Sequence, residues 1–272
     1  MKNQPTNWKI GAVSYFNTRP LVFGLEQAAT RRGLEFDLPS HLADKLASGL
    51  LDVALIPSIE VFQNPDYTVV SNACIACQGP VWSVKLMSRV ELSCIRTLAL
   101  DEGSRTSAAL SRILLKRQHG ICPELRPLPI DKTWQTADAD AVLIIGDRAM
   151  NPQHERQFQW EIDLGQWWHD LTGLPFVFAM WAARGGIESE HLSQLDQMLS
   201  SSRNAGVTSA EGIARDSSES YGLTLQQGLD YFQKYLHFTL GYKERQALSL
   251  FRELAVGMNL APSDLELQYH DC

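Results

Sequence analysis

The sequence contains few cysteines, and their number argues against a disulfide framework. Five occur among 272 residues, whereas small disulfide-stabilised domains have a dense and even set. The one CxxC pair, Cys74 and Cys77, lies in an apolar run typical of a strand. It has neither a second pair nor a nearby histidine at the spacing of a zinc site. We therefore interpret both cysteines as strand residues and predict no metal.

Long apolar segments are also missing. No run of about 18 apolar residues, the length that a membrane-spanning helix needs, is present. The segment Met1–Lys9 is polar apart from Trp8 and lacks the hydrophobic region of a secretory signal. These observations predict a soluble, cytoplasmic protein that has no membrane partner.

Positive charge is in deficit as well, with 24 Lys and Arg against 31 Asp and Glu. A net charge of −7 gives no long-range attraction for nucleic acid, so we predict no nucleic-acid partner. The sequence has no GxGxxG fingerprint, Walker loop, GxSxG elbow or cluster of metal ligands. It therefore predicts no cofactor, and any anionic ligand must be held by local hydrogen-bond donors.

Apolar runs bounded by turn residues predict alternating strands and helices. The clearest predicted strands are Trp8–Val13, Asp52–Ile56, Thr97–Leu100, 138–146 and Phe176–Ala182. Strand, helix and strand in succession imply parallel pairing with right-handed crossovers. From Glu188 onward the spacing of leucines changes to that of helices. We predict two α/β lobes, with a ligand in the cleft where strand ends and helix starts converge.

Three predicted strand-to-helix junctions carry small polar side chains: Ser14–Pro20, Pro57–Ser58 and Gly103–Ser107. Helix N-termini bind carboxylates through free N–H groups without needing a positively charged protein. The third junction is the most suitable, because its glycine lets the backbone approach an anion while hydroxyls and a guanidinium donate to it. Ordinary capping by Ser104 or Thr106 is the alternative interpretation.

Six motifs follow one another along the chain: Ser14–Leu21, Leu55–Glu60, Gly79–Val84, Asp101–Ser107, Ile144–Ala149 and Thr172–Phe178. In sequence and order they resemble the chorismate dehydratase family of the futalosine route to menaquinone. The likeness covers most of residues 9–184. The family usually has leucine where this chain has Phe16, and a smaller or basic residue where it has Trp82. Neither difference removes a polar group, so they affect the shape of the cleft and not the type of reaction.

The resemblance implies an α/β, two-lobed fold of the periplasmic-binding-protein type II kind, with a ligand cleft between the lobes. We expect a discontinuous first lobe, 1–88 and 179–272, and a second lobe, 89–178. The implied activity is a cofactor-free hydro-lyase reaction that converts chorismate to 3-(1-carboxyvinyloxy)benzoate and water.

The resemblance also implies roles for particular residues. An amide such as Asn17 cannot act as a general base near neutral pH, and the carboxylates of Glu60, Glu102 and Asp147 would repel a dianionic substrate. We therefore hypothesise that the enolpyruvyl carboxylate of chorismate removes the ring proton, while Asn17 orients it or donates to the leaving hydroxyl. The expected substrate contacts are Ser14, Asn17, Ser58 and Ser83 in the first lobe, and Ser104, Arg105, Thr106 and Ser107 in the second.

Two alternatives remain open at this point. A dihydroxynaphthoate synthase of the same route shares the scaffold, although its first motif is rich in Asp and Pro. A non-catalytic receptor for a small carboxylate would suit the same fold.

Overall fold

The computed structural model describes residues 8–25, 34–150 and 158–270, and their strands form two sheets. The larger sheet has the order β11-β4-β10-β3-β1-β2, with β12 paired to β4. β1 is parallel to β2 and β3, as the strand–helix–strand pattern predicts, whereas β10 is antiparallel to both of its neighbours. The strands are β1 (Ile10–Val13), β2 (Leu34–Asp37), β3 (Val53–Pro57), β4 (Thr68–Cys77), β10 (Phe176–Ala183), β11 (His237–Thr239) and β12 (Gln268–Tyr269).

The second sheet is built from the middle of the chain, in the order β7-β6-β8-β5-β9. β6 is parallel to β7 and β8, and β5 is antiparallel to β8 and β9. Its strands are β5 (Val84–Ser88), β6 (Thr97–Asp101), β7 (Glu124–Leu128), β8 (Ala141–Ile145) and β9 (Trp160–Asp163).

Sheet membership corrects the expected division of the chain at residues 88 and 178. The expected boundary leaves β5 in the first lobe, but its pairing with β8 and β9 places it in the second sheet. β10 begins at Phe176 in the first sheet. The chain therefore crosses between the lobes at 78–83 and 164–175.

The described helices cover both sheets. Their inward faces bury the leucines that the spacing predicts, such as Leu110 and Leu114 in α3 and Leu195 and Leu199 in α5. No helix of the described residues is long and apolar enough to cross a membrane. The α-helices are α1 (Pro39–Ala47), α2 (Ser58–Val61), α3 (Arg105–His119), α4 (Leu164–Thr172), α5 (Ser189–Thr208), α6 (Ala210–Ser217), α7 (Leu225–Asp230) and α8 (Tyr242–Gly257). Shorter turns are 3₁₀ helices at Phe16–Val22, Leu92–Cys94, Trp134–Thr136, Gly146–Ala149 and Ser218–Tyr221, and a π-helix at Tyr231–Tyr235.

After β1, the spacing of Leu21, Leu25 and Ala28 predicts an α-helix with Pro20 at its first position. The structure instead has a 3₁₀ helix there, Phe16–Val22. Pro20 lies inside this segment, and in an α-helix its ring would clash with the carbonyl of the residue four positions earlier. Ser202 of α5 fixes the end of this segment, because its Oγ donates to the carbonyls of Leu21 and Phe23 at 2.9 Å each. The expected continuation of the helix to Ala28 lies outside the described residues.

One carboxylate connects the two crossing segments. Asp163 accepts hydrogen bonds from the backbone N–H groups of Val81 and Trp82 in the first segment and of Gln166 in the second. Trp82 has φ of 65°, in the left-handed region that bulky residues rarely adopt. Its ring stacks on Tyr235 with centroids 5.6 Å apart, so packing holds it in this conformation.

The CxxC cysteines lie where the sequence interpretation puts them. Both are buried in β4 as free thiols. Burial raises the pKa of each thiol, so neither is prepared for nucleophilic chemistry.

Candidate functional site

A cleft between the two lobes brings together most of the predicted site residues. Its empty space amounts to about 500 Å³, part of which is open solvent. Within the described part of the chain, no carboxylate, histidine or cysteine lines it. The polar side chains that line it are Tyr15, Asn17, Ser83, Ser104, Arg105, Thr106 and Ser107.

The N-terminal turn of α3 forms one wall of this cleft. Its first N–H groups have no acceptor within the helix, and among the described residues no side chain caps it, Ser104 included. Ser104 and Ser107 are buried, at 6% and 3% exposure, and both line the cleft. Ser104 therefore does not act as the side-chain cap that the alternative interpretation assigns to it.

Two other residues of the same turn make contacts across the lobes. Thr106 Oγ1 accepts from the backbone N–H of Ile59 at 3.2 Å. The guanidinium of Arg105 pairs with Glu60 at 3.1 Å and with Asp44 at 2.8 Å, both in the first lobe. These side chains line the cleft, but their described hydrogen bonds and ion pairs are made to the first lobe and join the two lobes.

Ser83 and Asn17 meet at a tyrosine that the sequence interpretation did not include. The Tyr231 hydroxyl, fully buried, donates to Ser83 Oγ at 2.6 Å. Burial raises the pKa of Tyr231, and hydrogen bonding to Ser83 and Asn17 acts in the opposite direction. Asn17 Oδ1 also accepts from Thr18 at 3.1 Å. Tyr231 therefore positions both predicted substrate contacts from the C-terminal part of the chain.

The remaining two predicted residues lie outside the lining of the cleft. Ser58 is buried at the start of α2, and its Oγ donates to the carbonyl of Val177 at 2.7 Å. This bond joins the end of β3 to β10, which gives the side chain a structural contact. Ser14 is exposed, and its backbone N–H donates to the carbonyl of Asp37.

Tyr15 is a second tyrosine that the sequence interpretation left out, although it stands inside the first matched motif. Its ring lies against Gly146, where an added Cβ would be 2.9 Å from the ring carbons. Its hydroxyl is buried and has no hydrogen-bond partner among the described residues. The signal available in the sequence was its position between β1 and Asn17.

Asp147 forms a further contact between the lobes, since its carboxylate accepts from the Phe16 N–H at 3.0 Å. Burial raises the pKa of Asp147 to about 6, against the opposing effects of that hydrogen bond and of Arg19. The folded protein therefore holds this proton more tightly than the unfolded chain. The raised pKa therefore stabilises the folded protein at acidic pH, and this contribution is lost as the pH rises through about 6. The free energy of unfolding that is lost in this way is about 2–3 kcal/mol.

We expect Asp147→Asn to stabilise the protein at pH 7.5, by about 1–2 kcal/mol, because the neutral amide retains an acceptor for Phe16 without a buried charge. Urea unfolding at pH 4.5 and pH 7.5 measures this, and the gain should shrink at the lower pH. Asp140→Asn is the matched control of opposite sign, because backbone hydrogen bonds from residues 96 and 97 lower the pKa of Asp140. A uniform effect of Asp147→Asn at both pH values would contradict the prediction.

The sequence of this chain is similar to a family of known proteins, and its fold is similar to solved structures. A family model described as menaquinone biosynthesis matches residues 8–256. A chorismate dehydratase of Thermus thermophilus is 29% identical over 93% of this chain and 96% of its own length. One of Campylobacter jejuni is 24% identical over 92% of this chain and 99% of its own length.

Solved structures show the same architecture at lower identity. The periplasmic aliphatic sulphonate binding protein SsuA of Escherichia coli matches with a TM-score of 0.63 and 14% identity, over 96% of this chain and 90% of its own. This likeness confirms the expected two-lobed periplasmic-binding-protein fold.

Proposed function

The chain belongs to the menaquinone biosynthesis family, whose model matches residues 8–256, and from this premise we propose that it is a chorismate dehydratase. The proposal is carried by two relatives of that name, each aligned over more than nine-tenths of this chain. The reaction is that of a hydro-lyase, which releases 3-(1-carboxyvinyloxy)benzoate and water.

The chemistry requires the loss of one ring proton and one hydroxide. The C–H bond at the ether-bearing carbon breaks, and its electron pair is delocalised towards the conjugated ring carboxylate. The neighbouring C–O bond then breaks, the hydroxide leaves with a proton as water, and a benzene ring remains. Aromatisation supplies the driving force. The protein must hold two carboxylates, stabilise the charge that builds up on one of them, and exclude water.

The lining of the cleft supports this division of tasks. Neutral donors from both lobes, Asn17 and Ser83 on one side and Ser104 and Ser107 on the other, face the same space. Such donors stabilise an anion without adding a mobile positive charge. Arg105 and Thr106 contribute through their contacts to α1 and α2, which keep this wall against the first lobe.

The same lining supports the proposed origin of the base. Because no carboxylate, histidine or cysteine lines the cleft within the described residues, the proposal assigns proton removal to the enolpyruvyl carboxylate of the substrate. Asn17, held beside Tyr231 and Ser83, orients this carboxylate or donates to the leaving hydroxyl. Ser58 does not contact the substrate in this proposal; its hydrogen bond to Val177 holds the end of β3 against β10.

The direct test is to incubate the pure, chelator-treated and dialysed protein with chorismate. We expect loss of the diene absorbance and formation of the substituted benzoate, identified by NMR, without added metal or cofactor. Saturable chorismate binding with no product would favour the receptor function, and activity that returns only with a divalent metal would contradict the cofactor-free reaction.

A second test addresses the anion site at α3. The double variant Ser104→Ala/Ser107→Ala removes two hydroxyl donors and leaves the Thr106 contact to Ile59 intact. Hydrogen bonds to charged groups contribute about 1.5–3 kcal/mol each, so the dissociation constant for the benzoate product should rise by at least about tenfold. Calorimetric titration measures it. Ser111→Ala is the control, because that hydroxyl, on the same helix, donates to the Ala108 carbonyl; equal affinities in all three proteins would contradict the assignment.

A further inference from the structure

The hydroxyl of Tyr15 is an unexplained polar group in the cleft. It is buried, and it makes no hydrogen bond within the described part of the chain, although buried polar groups nearly always have a partner. The residue lines the cleft together with Gly103 and Ser104. An unpaired donor in this place indicates a partner that the described residues do not supply.

Two glycines of the second lobe make room for this side chain. A Cβ on Gly146 would lie 2.9 Å from the tyrosine ring, and a Cβ on Gly103 would lie 3.1 Å from its hydroxyl. Gly146 also has φ of 65°, a conformation that glycine adopts without strain. Tyr15 therefore reaches from the first lobe to the loop that begins α3.

Asp101, the carboxylate whose negative charge acts most strongly on Tyr15, already has its own partners. Asp101 Oδ1 accepts from the Gly103 N–H at 3.0 Å, and its Oδ2 accepts from Arg148 Nε at 3.0 Å. Burial and the negative charge of Asp101 raise the pKa of Tyr15. The hydroxyl is therefore protonated throughout the working pH range, so it acts as a neutral donor and not as a base.

We propose that the Tyr15 hydroxyl donates a hydrogen bond to a carboxylate oxygen of the bound benzoate-type ligand, beside the N-terminal turn of α3. The inference rests on the proposed function for the identity of the reaction. On that reaction Tyr15 is a further catalytic residue, because it stabilises the ring carboxylate on which charge accumulates as the proton leaves. No proton is transferred to or from the tyrosine.

The test compares Tyr15→Phe with the unaltered protein, using benzoate as the probe in calorimetric titration and chorismate in the turnover assay. Phenylalanine keeps the ring between the two glycines and removes only the donor. We expect the dissociation constant of benzoate to rise about tenfold and kcat for chorismate to fall by at least about tenfold. Tyr221→Phe is the matched control, because that hydroxyl accepts from Arg19 outside the cleft lining; it should change neither value.

Gly103→Ala provides a second variant, since the new methyl group would lie 3.1 Å from the hydroxyl and would force it to shift by a few tenths of an ångström. We expect Gly103→Ala to bind benzoate more weakly as well. For Tyr15→Phe, we expect the midpoint of urea unfolding to be unchanged. Equal benzoate affinity in Tyr15→Phe and the unaltered protein, or no benzoate binding to the unaltered protein, would overturn the inference. If both variants lose benzoate affinity as expected but the unaltered protein does not turn over chorismate, the proposed function is wrong and the assignment of Tyr15 as a donor to a carboxylate is kept.

Discussion

Replacing Asn17 by alanine should lower kcat for chorismate about a hundredfold, the scale of one misplaced positioning group. The amide lies in the cleft and interacts with Tyr231, which in turn donates to Ser83. Its loss removes the group that orients the enolpyruvyl carboxylate or donates to the leaving hydroxyl. Steady-state turnover measures the change, while calorimetry should show that the benzoate product still binds.

Asn17→Asp should lower kcat to a similar extent, because it adds a negative charge beside a dianionic substrate. Asn64→Ala, in the turn before β4 and outside the lining of the cleft, is the control and should leave kcat unchanged. Full turnover in Asn17→Ala would contradict the assigned role. Complete loss of turnover in Glu60→Gln or Glu102→Gln, with product binding preserved, would show that a side chain of the protein, and not the substrate carboxylate, removes the ring proton.

Gly206→Ala should be the most destabilising single methyl addition that we predict. Gly206 lies in α5, directly against the 3₁₀ helix that carries Asn17, and a Cβ there would be 1.9 Å from the carbonyl oxygen of Pro20. Backbone atoms cannot rotate away as a flexible side chain can, so one element must shift. We expect a loss of at least about 3 kcal/mol of the free energy of unfolding, the upper part of the range for overpacking.

Urea unfolding compares this variant with Gly212→Ala in α6. Position 212 has open space around it, so its substitution should stabilise the helix by about 0.5–1 kcal/mol. The same chemical change thus has opposite expected signs at the two positions. Equal unfolding midpoints would contradict the close contact between α5 and the 3₁₀ helix.

The central strands could be predicted from the sequence because they are apolar throughout. β3, β8 and β10 are completely buried, and their runs stand out between turn residues. The strands that were missed, such as β2, β7 and β9, lie at the ends of the sheets and are largely exposed. An edge strand owes its conformation to the neighbour it pairs with, so its own sequence carries a weak signal.

The candidate site, too, could be predicted from the sequence only in part. Local patterns identify the junctions, since a glycine followed by hydroxyl residues at a helix start is visible in the sequence. Which hydroxyl faces the ligand depends on distant partners: Thr106 is occupied by Ile59 and Ser58 by Val177, 47 and 119 residues away. Tyr231 reaches Ser83 across 148 residues, and no spacing rule connects them.

The place of β10 in the larger sheet has a consequence for the order in which the protein is made. β10 lies between β3 and β4, yet it follows the whole second lobe in the chain. While the ribosome extends the first 175 residues, β3 and β4 have no strand between them, so the larger sheet cannot be completed. The second lobe, which is contiguous from β5 to β9, has all of its strand pairs available earlier. The lobe that appears first from the ribosome is thus the last to complete its sheet.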